Sequence, residues 1–129
     1  MNHNCLVGNE LLISLFTHFP KDESIPIEKG LVILDLFEAS KKPEYKNLFE
    51  NYHFDTNHDL VYSTQLEDAF FLLMIAHVVI FYDFSKDCYV GRGVDISYEK
   101  FVKKRLLPGE EELLKEIADE ILIKVRVTV

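Results

Sequence analysis

Apolar positions recur along most of this chain with the period of an α-helix. Leu11, Leu12, Leu15, Phe16 and Phe19 form one stripe and predict a helix over Asn9–Phe19. Pro20 closes it, because proline disfavours helical backbone in the residue before it. Ser24-Ile25-Pro26 restarts a helix with Pro26 in its first turn, and Leu31, Leu34, Asp35 and Glu38 carry it to about Ser40. Gly30 and the β-branched Val32 and Ile33 weaken that stretch. Pro43 opens a short helix with Tyr45, Leu48, Phe49 and Tyr52 inward. Residues 53–63 read as irregular, since Asp55-Thr56-Asn57-His58-Asp59 is rich in turn-forming side chains.

Thr64-Gln65-Leu66-Glu67 has the form of a capping box, with Thr64 capping and Glu67 reaching back. The helix predicted over 64–84 is apolar nearly all round, which places it at the centre of the molecule. Its second half, Val78–Tyr82, also fits a strand. Ser85–Val94 reads as a loop or short hairpin, and Asp95 or Ser97 caps a helix through Leu106. Pro108 opens the last helix, with Glu110, Glu111 and Glu112 in the first turn, where negative charge suits the helix dipole. Leu113, Leu114, Ile117, Ala118, Ile121 and Leu122 form its buried stripe. The tail Ile123–Val129 alternates apolar and polar residues, a strand pattern whose partner would be Leu60–Tyr62, Cys88–Val90 or another chain. The expected fold is mostly α, a single compact helical domain over 1–129 around the helix 64–84. The alternative is α+β, with a small sheet that uses a C-terminal strand 123–129.

The chain has 129 residues, 48% hydrophobic and 28% charged, enough apolar surface for one ordered domain. Its 14 basic and 22 acidic side chains leave a formal charge of −8, which disfavours direct nucleic-acid binding. The excess is uneven: residues 1–85 hold 13 acidic and 5 basic side chains, and residues 86–129 hold 9 of each. Tyr45, Tyr52, Phe54 and Tyr62 are interleaved with the acids. Asp35, Glu38, Glu44, Tyr45, Tyr52, Asp55 and Asp59 are therefore the candidate face for a basic protein partner, aromatic anchors within a charged rim. The longest apolar run, Ala69–Tyr82, is too short to cross a bilayer, so no membrane partner is expected. No positive segment precedes an apolar stretch near the start, as a signal peptide would require, so the expected location is the cytoplasm. Cys5 and Cys88 form no metal spacing and read as reduced thiols, with a single disulfide between them left open.

Candidate chemistry is sparse. His53, Asp55, His58 and Asp59 place two imidazoles and two carboxylates in one short segment, a composition suited to a divalent metal and, through it, to hydrolysis. The alternative for that segment is a polar loop bonded to its own backbone. His77 lies in the most apolar run and reads as a core histidine with a satisfied hydrogen bond, against a buried titrating switch. Gly91-Arg92-Gly93 lacks the third glycine of a dinucleotide loop, and no cofactor is expected. Lys100, Lys103, Lys104 and Arg105 suit the end of a helix, where cations complement the dipole, more than a phosphate site.

One short domain, an acid excess and no catalytic motif together resemble the bacterial toxin-immunity proteins, small cytosolic inhibitors of secreted nuclease toxins. The resemblance is one of type and covers the whole chain without a diagnostic motif. It implies an acidic stoichiometric inhibitor that occludes the basic cleft of a nuclease-type partner. Two other functions fit the residues: a metal-dependent hydrolase built on His53–Asp59, and a regulatory adaptor that self-associates through 123–129.

Overall fold

The computed structural model describes residues 5–21, 23–26, 28–57, 60–81 and 87–127. The fold is mostly α with two small antiparallel sheets. Helix α1 spans Glu10–Phe16, and each residue from Leu11 to Phe16 is buried. It packs against the long C-terminal helix α5, Glu110–Val127, and against the segment Gly93–Val102. That segment begins as the short helix α4, Gly93–Ser97, widens to a π-turn over Tyr98–Val102 and ends in a 3-10 turn over Lys103–Arg105. Helix α3, Thr64–Ile75, closes a further side of α1, where Phe16 meets Phe70 edge-on at 6.1 Å between ring centres. The central helix is thus α1, not the one expected over 64–84.

Helix α3 is shorter than its apolar run suggests, for a local reason. Its N-cap is Ser63, one residue before the expected Thr64, and the buried Ser63 hydroxyl accepts from Leu66 N at 3.3 Å. Its C-terminus closes with Val78 N donating to Leu73 O at 2.9 Å and His77 N donating to Met74 O at 3.1 Å. That bond pair is a Schellman motif, and its penultimate residue must be left-handed. His77 takes that place at φ 57°, and it is exposed, so it is not a core histidine. The chain then turns into strand β4, Val79–Phe81. Residues 82–84, expected to be helical, lie outside the described residues.

Strand β4 pairs with β5, Asp87–Val90, which pairs on its other side with β1, Ser24–Pro26, all antiparallel. Ser24-Ile25-Pro26 is therefore an edge strand rather than a helix start. A proline is tolerated there because an edge leaves one row of N–H groups unused. Helix α2 begins later, at Lys29, and ends at Ser40. A 3-10 turn over Pro43–Phe49 follows, with Tyr45, Leu48 and Phe49 buried as expected. Within 53–63, expected to be irregular, two strands form: β2, Asp55–Asn57, pairs antiparallel with β3, Leu60–Tyr62, with Asp55 opposite Tyr62.

The tail is helical through Val127, so the expected C-terminal strand does not form at 123–127; residues 128 and 129 lie outside the described residues. The stripe Leu114, Ile117, Ala118, Ile121 and Leu122 is buried, and the helix continues past it. Lys124 confirms the register by reaching Asp35 of α2 at 3.2 Å. Leu60–Tyr62 and Cys88–Val90 are strands, but they pair with β2 and with β1 and β4.

Candidate interaction surface

The seven residues expected to form a docking face separate in three dimensions. Tyr45 and Tyr52 are core residues, 3% and 8% exposed. The Tyr45 hydroxyl donates to Glu116 of α5 at 3.2 Å, and burial with the carboxylates around it pushes this phenol up to about 12. The Tyr52 hydroxyl donates to Gly8 O at 2.8 Å and accepts from Leu11 N at 3.2 Å, tying the loop to the start of α1. Burial raises the Tyr52 phenol further. Neither ring is available to a partner, because each is large enough that the core claims it. Asp35 is mostly covered and bound to Lys124. Glu38 and Glu44 are exposed and Asp55 is partly so, while Asp59 lies outside the described residues.

The surface that takes their place is a groove of about 230 Å³ between α2 and β3, lined by Glu28, Gly30, Leu31, Leu34, Leu60 and Val61. Helix α2 carries two apolar stripes. Val32, Ile33, Leu36 and Ala39 face the core, and Leu31 and Leu34 stay exposed on the other side. Glu38 follows Leu34 by one turn on that outer stripe. Strand β3 alternates: Val61 packs on the core, while Leu60, 71% exposed, and Tyr62 point outward. Asp55 shares the outer face with Tyr62, because directly paired residues of an antiparallel ladder lie on the same side. The result is an apolar trough with one carboxylate, Glu28, in its lining; Glu38, paired with Lys41 at 3.8 Å, and Asp55 lie on the outer faces of the same two elements. Sequence reasoning used Leu31 and Leu34 only to mark the helix and Leu60 only as part of a possible strand, and assigned none of them to a surface. The available signal was the doubled stripe of α2, since a helix with two apolar faces has one left for something else.

The segment read as a metal site is partly described. His53 Nε2 sits 3.0 Å from Asp55 Oδ1, and His53 is well exposed. His58 and Asp59 lie outside the described residues. Among the described residues no group of three His, Cys, Asp or Glu side chains is placed to hold a metal ion. Cys5 is a free, buried thiol, so the disulfide left open above is not made. Burial first, then the Glu110 and Glu50 carboxylates, push this thiol up, against a smaller opposing effect of Arg105. A thiol held that way is a poor nucleophile. No described helix is long and apolar enough to cross a membrane.

Comparisons with family models, with curated proteins and with solved structures return no match to this chain. Any functional reading therefore rests on the surface itself.

Proposed function

We propose that this protein is a non-enzymatic protein-binding domain, an acidic stoichiometric inhibitor of the immunity type that acts in the cytoplasm and occludes a basic, nuclease-type partner. The apolar groove between α2 and β3, with Glu28 in its lining and with Glu38 and Asp55 on the outer faces of the elements that form it, carries this reading. A trough lined by leucines gives a partner side chain a desolvated anchor point. Glu28 in the lining favours a cationic neighbour for that anchor, and the carboxylates on the outer faces of α2 and β2 speed encounter with a positive surface. The chain's charge of −8 adds long-range steering towards such a surface.

Affinity capture from the native cell lysate, washed at low and then at high salt, tests the proposal against the variant E28K/E38K/D55K. The wild-type protein is expected to retain one basic protein at a one-to-one ratio. The variant should lose it, with an association rate at least tenfold lower for the purified pair. Equal retention by both proteins would remove the groove from the argument. Retention of an acidic partner would overturn the inhibitor reading. A second variant, L34S, separates anchoring from steering, because it should speed dissociation and leave the association rate nearly unchanged.

A further inference from the structure

Two helical faces away from the groove remain uncovered, and they are opposite in charge. On α3, Phe71, Leu72 and Ile75 are each more than half exposed. Their i, i+1, i+4 spacing sets them on one side, opposite the buried Leu66, Ala69, Phe70 and Leu73. Glu67 and Asp68 stand one turn before them, and neither makes an ion pair among the described residues. On the segment Gly93–Arg105 the buried stripe is Val94, Tyr98 and Val102. Ile96 and Phe101, again more than half exposed, lie away from it, together with Lys100 and Lys104. These two lysines also make no ion pair among the described residues, whereas Lys103 pairs with Glu99 at 3.6 Å. Residues 91–107 hold five basic and two acidic side chains, a local reversal of the charge of the whole chain.

We infer that these faces are made for each other: the acidic, apolar face of α3 on one copy docks on the basic, apolar face of residues 96–104 on a second copy. Each face joins large apolar side chains to unpaired charges of one sign, and the signs are complementary. Monomers rarely leave such helical faces open without a use. Docking would desolvate the five apolar side chains and pair Glu67 and Asp68 with Lys100 and Lys104. If both pairs of faces meet at once the assembly closes as a two-fold dimer; if only one pair meets, the contact is head-to-tail and continues to a third copy. With five exposed apolar side chains between the two faces, the association is expected to be weak and concentration-dependent. The charge of −8 on each copy opposes approach, and salt screens that repulsion as well as the local attraction. Ionic strength is therefore a poor probe, and exchange of charge is the informative one.

Sedimentation velocity of the full chain over a wide concentration range, with two exposed charge-reversal variants, tests the inference. Wild-type protein is expected to shift from monomer towards a larger species as concentration rises. K100E/K104E carries two acidic faces and E67K/D68K two basic ones, so each alone should associate at least tenfold more weakly than wild type. An equimolar mixture of the two variants should associate again. Circular dichroism checks that both variants remain folded. F71S/F101S should stay monomeric and should not respond to mixing. A wild-type protein that is monomeric throughout would overturn the inference. So would variants that associate as well alone as mixed, or a mixture that fails to assemble. Because the groove residues are untouched, failure here leaves the inhibitor reading standing, and the converse also holds.

Discussion

At the scale of single residues, His77 shows how one backbone position settles an element. The Schellman bonds at the end of α3 require a left-handed residue, and a side chain with a Cβ is strained there. His77→Gly should therefore stabilise the protein by about 1 kcal/mol and raise its thermal midpoint by a few degrees. Calorimetry checks this, with His77→Ala as the control that should bring no gain. His18, after α1, carries a different cost. Its ring lies edge-on to Tyr98 at 6.4 Å between ring centres, and its Nε2 is buried with no hydrogen-bond partner among the described residues. Burial holds it below its ordinary 6.5, against Glu111 and Asp119, which favour the charged form, while Lys115 and Lys21 add to the lowering. In the window below pH 6.5 the unfolded chain binds this proton more readily than the folded one, so stability falls as pH drops through that window. Urea unfolding on both sides of the window should show the loss, and His18→Asn should flatten it. A variant that keeps the full slope would assign the effect to other groups. Neither role was legible in the sequence, where His77 sits in an apolar run and His18 beside a helix end. His77's backbone angle is set by where the helix closes, and His18's burial by packing against Tyr98, far along the chain.

At the scale of elements, the starts of α1 and α5 use one device. Glu10 Oε1 accepts from Val7 N at 2.8 Å, and Glu110 Oε1 accepts from Leu107 N at 2.7 Å. In each case a carboxylate in the first helical turn satisfies the N–H three residues earlier, across a turn that holds a left-handed glycine, Gly8 at φ 58° and Gly109 at φ 89°. Glu10 is also bound by Arg105 Nε at 3.0 Å, and the same guanidinium donates to Cys5 O at 2.9 Å. Glu110→Ala should destabilise the protein by about 1–2 kcal/mol in urea unfolding, since it strips a buried carboxylate from a cap. Glu112→Ala, an exposed neighbour in the same turn, should stay within roughly 0.5 kcal/mol. The acids at the start of α5 were legible in the sequence as a helix-start signal, but which one makes the bond was not. The helix–strand ambiguities resolved in opposite directions: Val79–Phe81 became a strand because α3 had already been closed, and Ile123–Val127 stayed helical as a continuation of α5 beyond its buried stripe. Local pattern alone does not decide such stretches, because apolar β-branched residues fit both backbones.

At the scale of the whole molecule, charge and core were legible to different degrees. The excess of carboxylates and its confinement to the first two-thirds of the chain are properties of the sequence, and they motivate a basic partner without any structure. The amphipathic stripes of α1 and α5 and the inward set Tyr45, Leu48, Phe49 and Tyr52 were also legible, because burying apolar area dominates folding and leaves a periodic trace. That same inward set removed Tyr45 and Tyr52 from the partner face, since a ring spent on the core is lost to the surface. The groove at Leu31, Leu34 and Leu60, and the exposed faces of α3 and of residues 96–104, are products of tertiary structure. Each depends on which of two apolar stripes a helix turns inward, and only the neighbouring elements make that choice. By itself, the sequence determined the mostly helical class, the charge balance and the residues competing for the core. The tertiary structure decided which competitors won and which were left in water, because burial belongs to the packed whole and no single segment contains it.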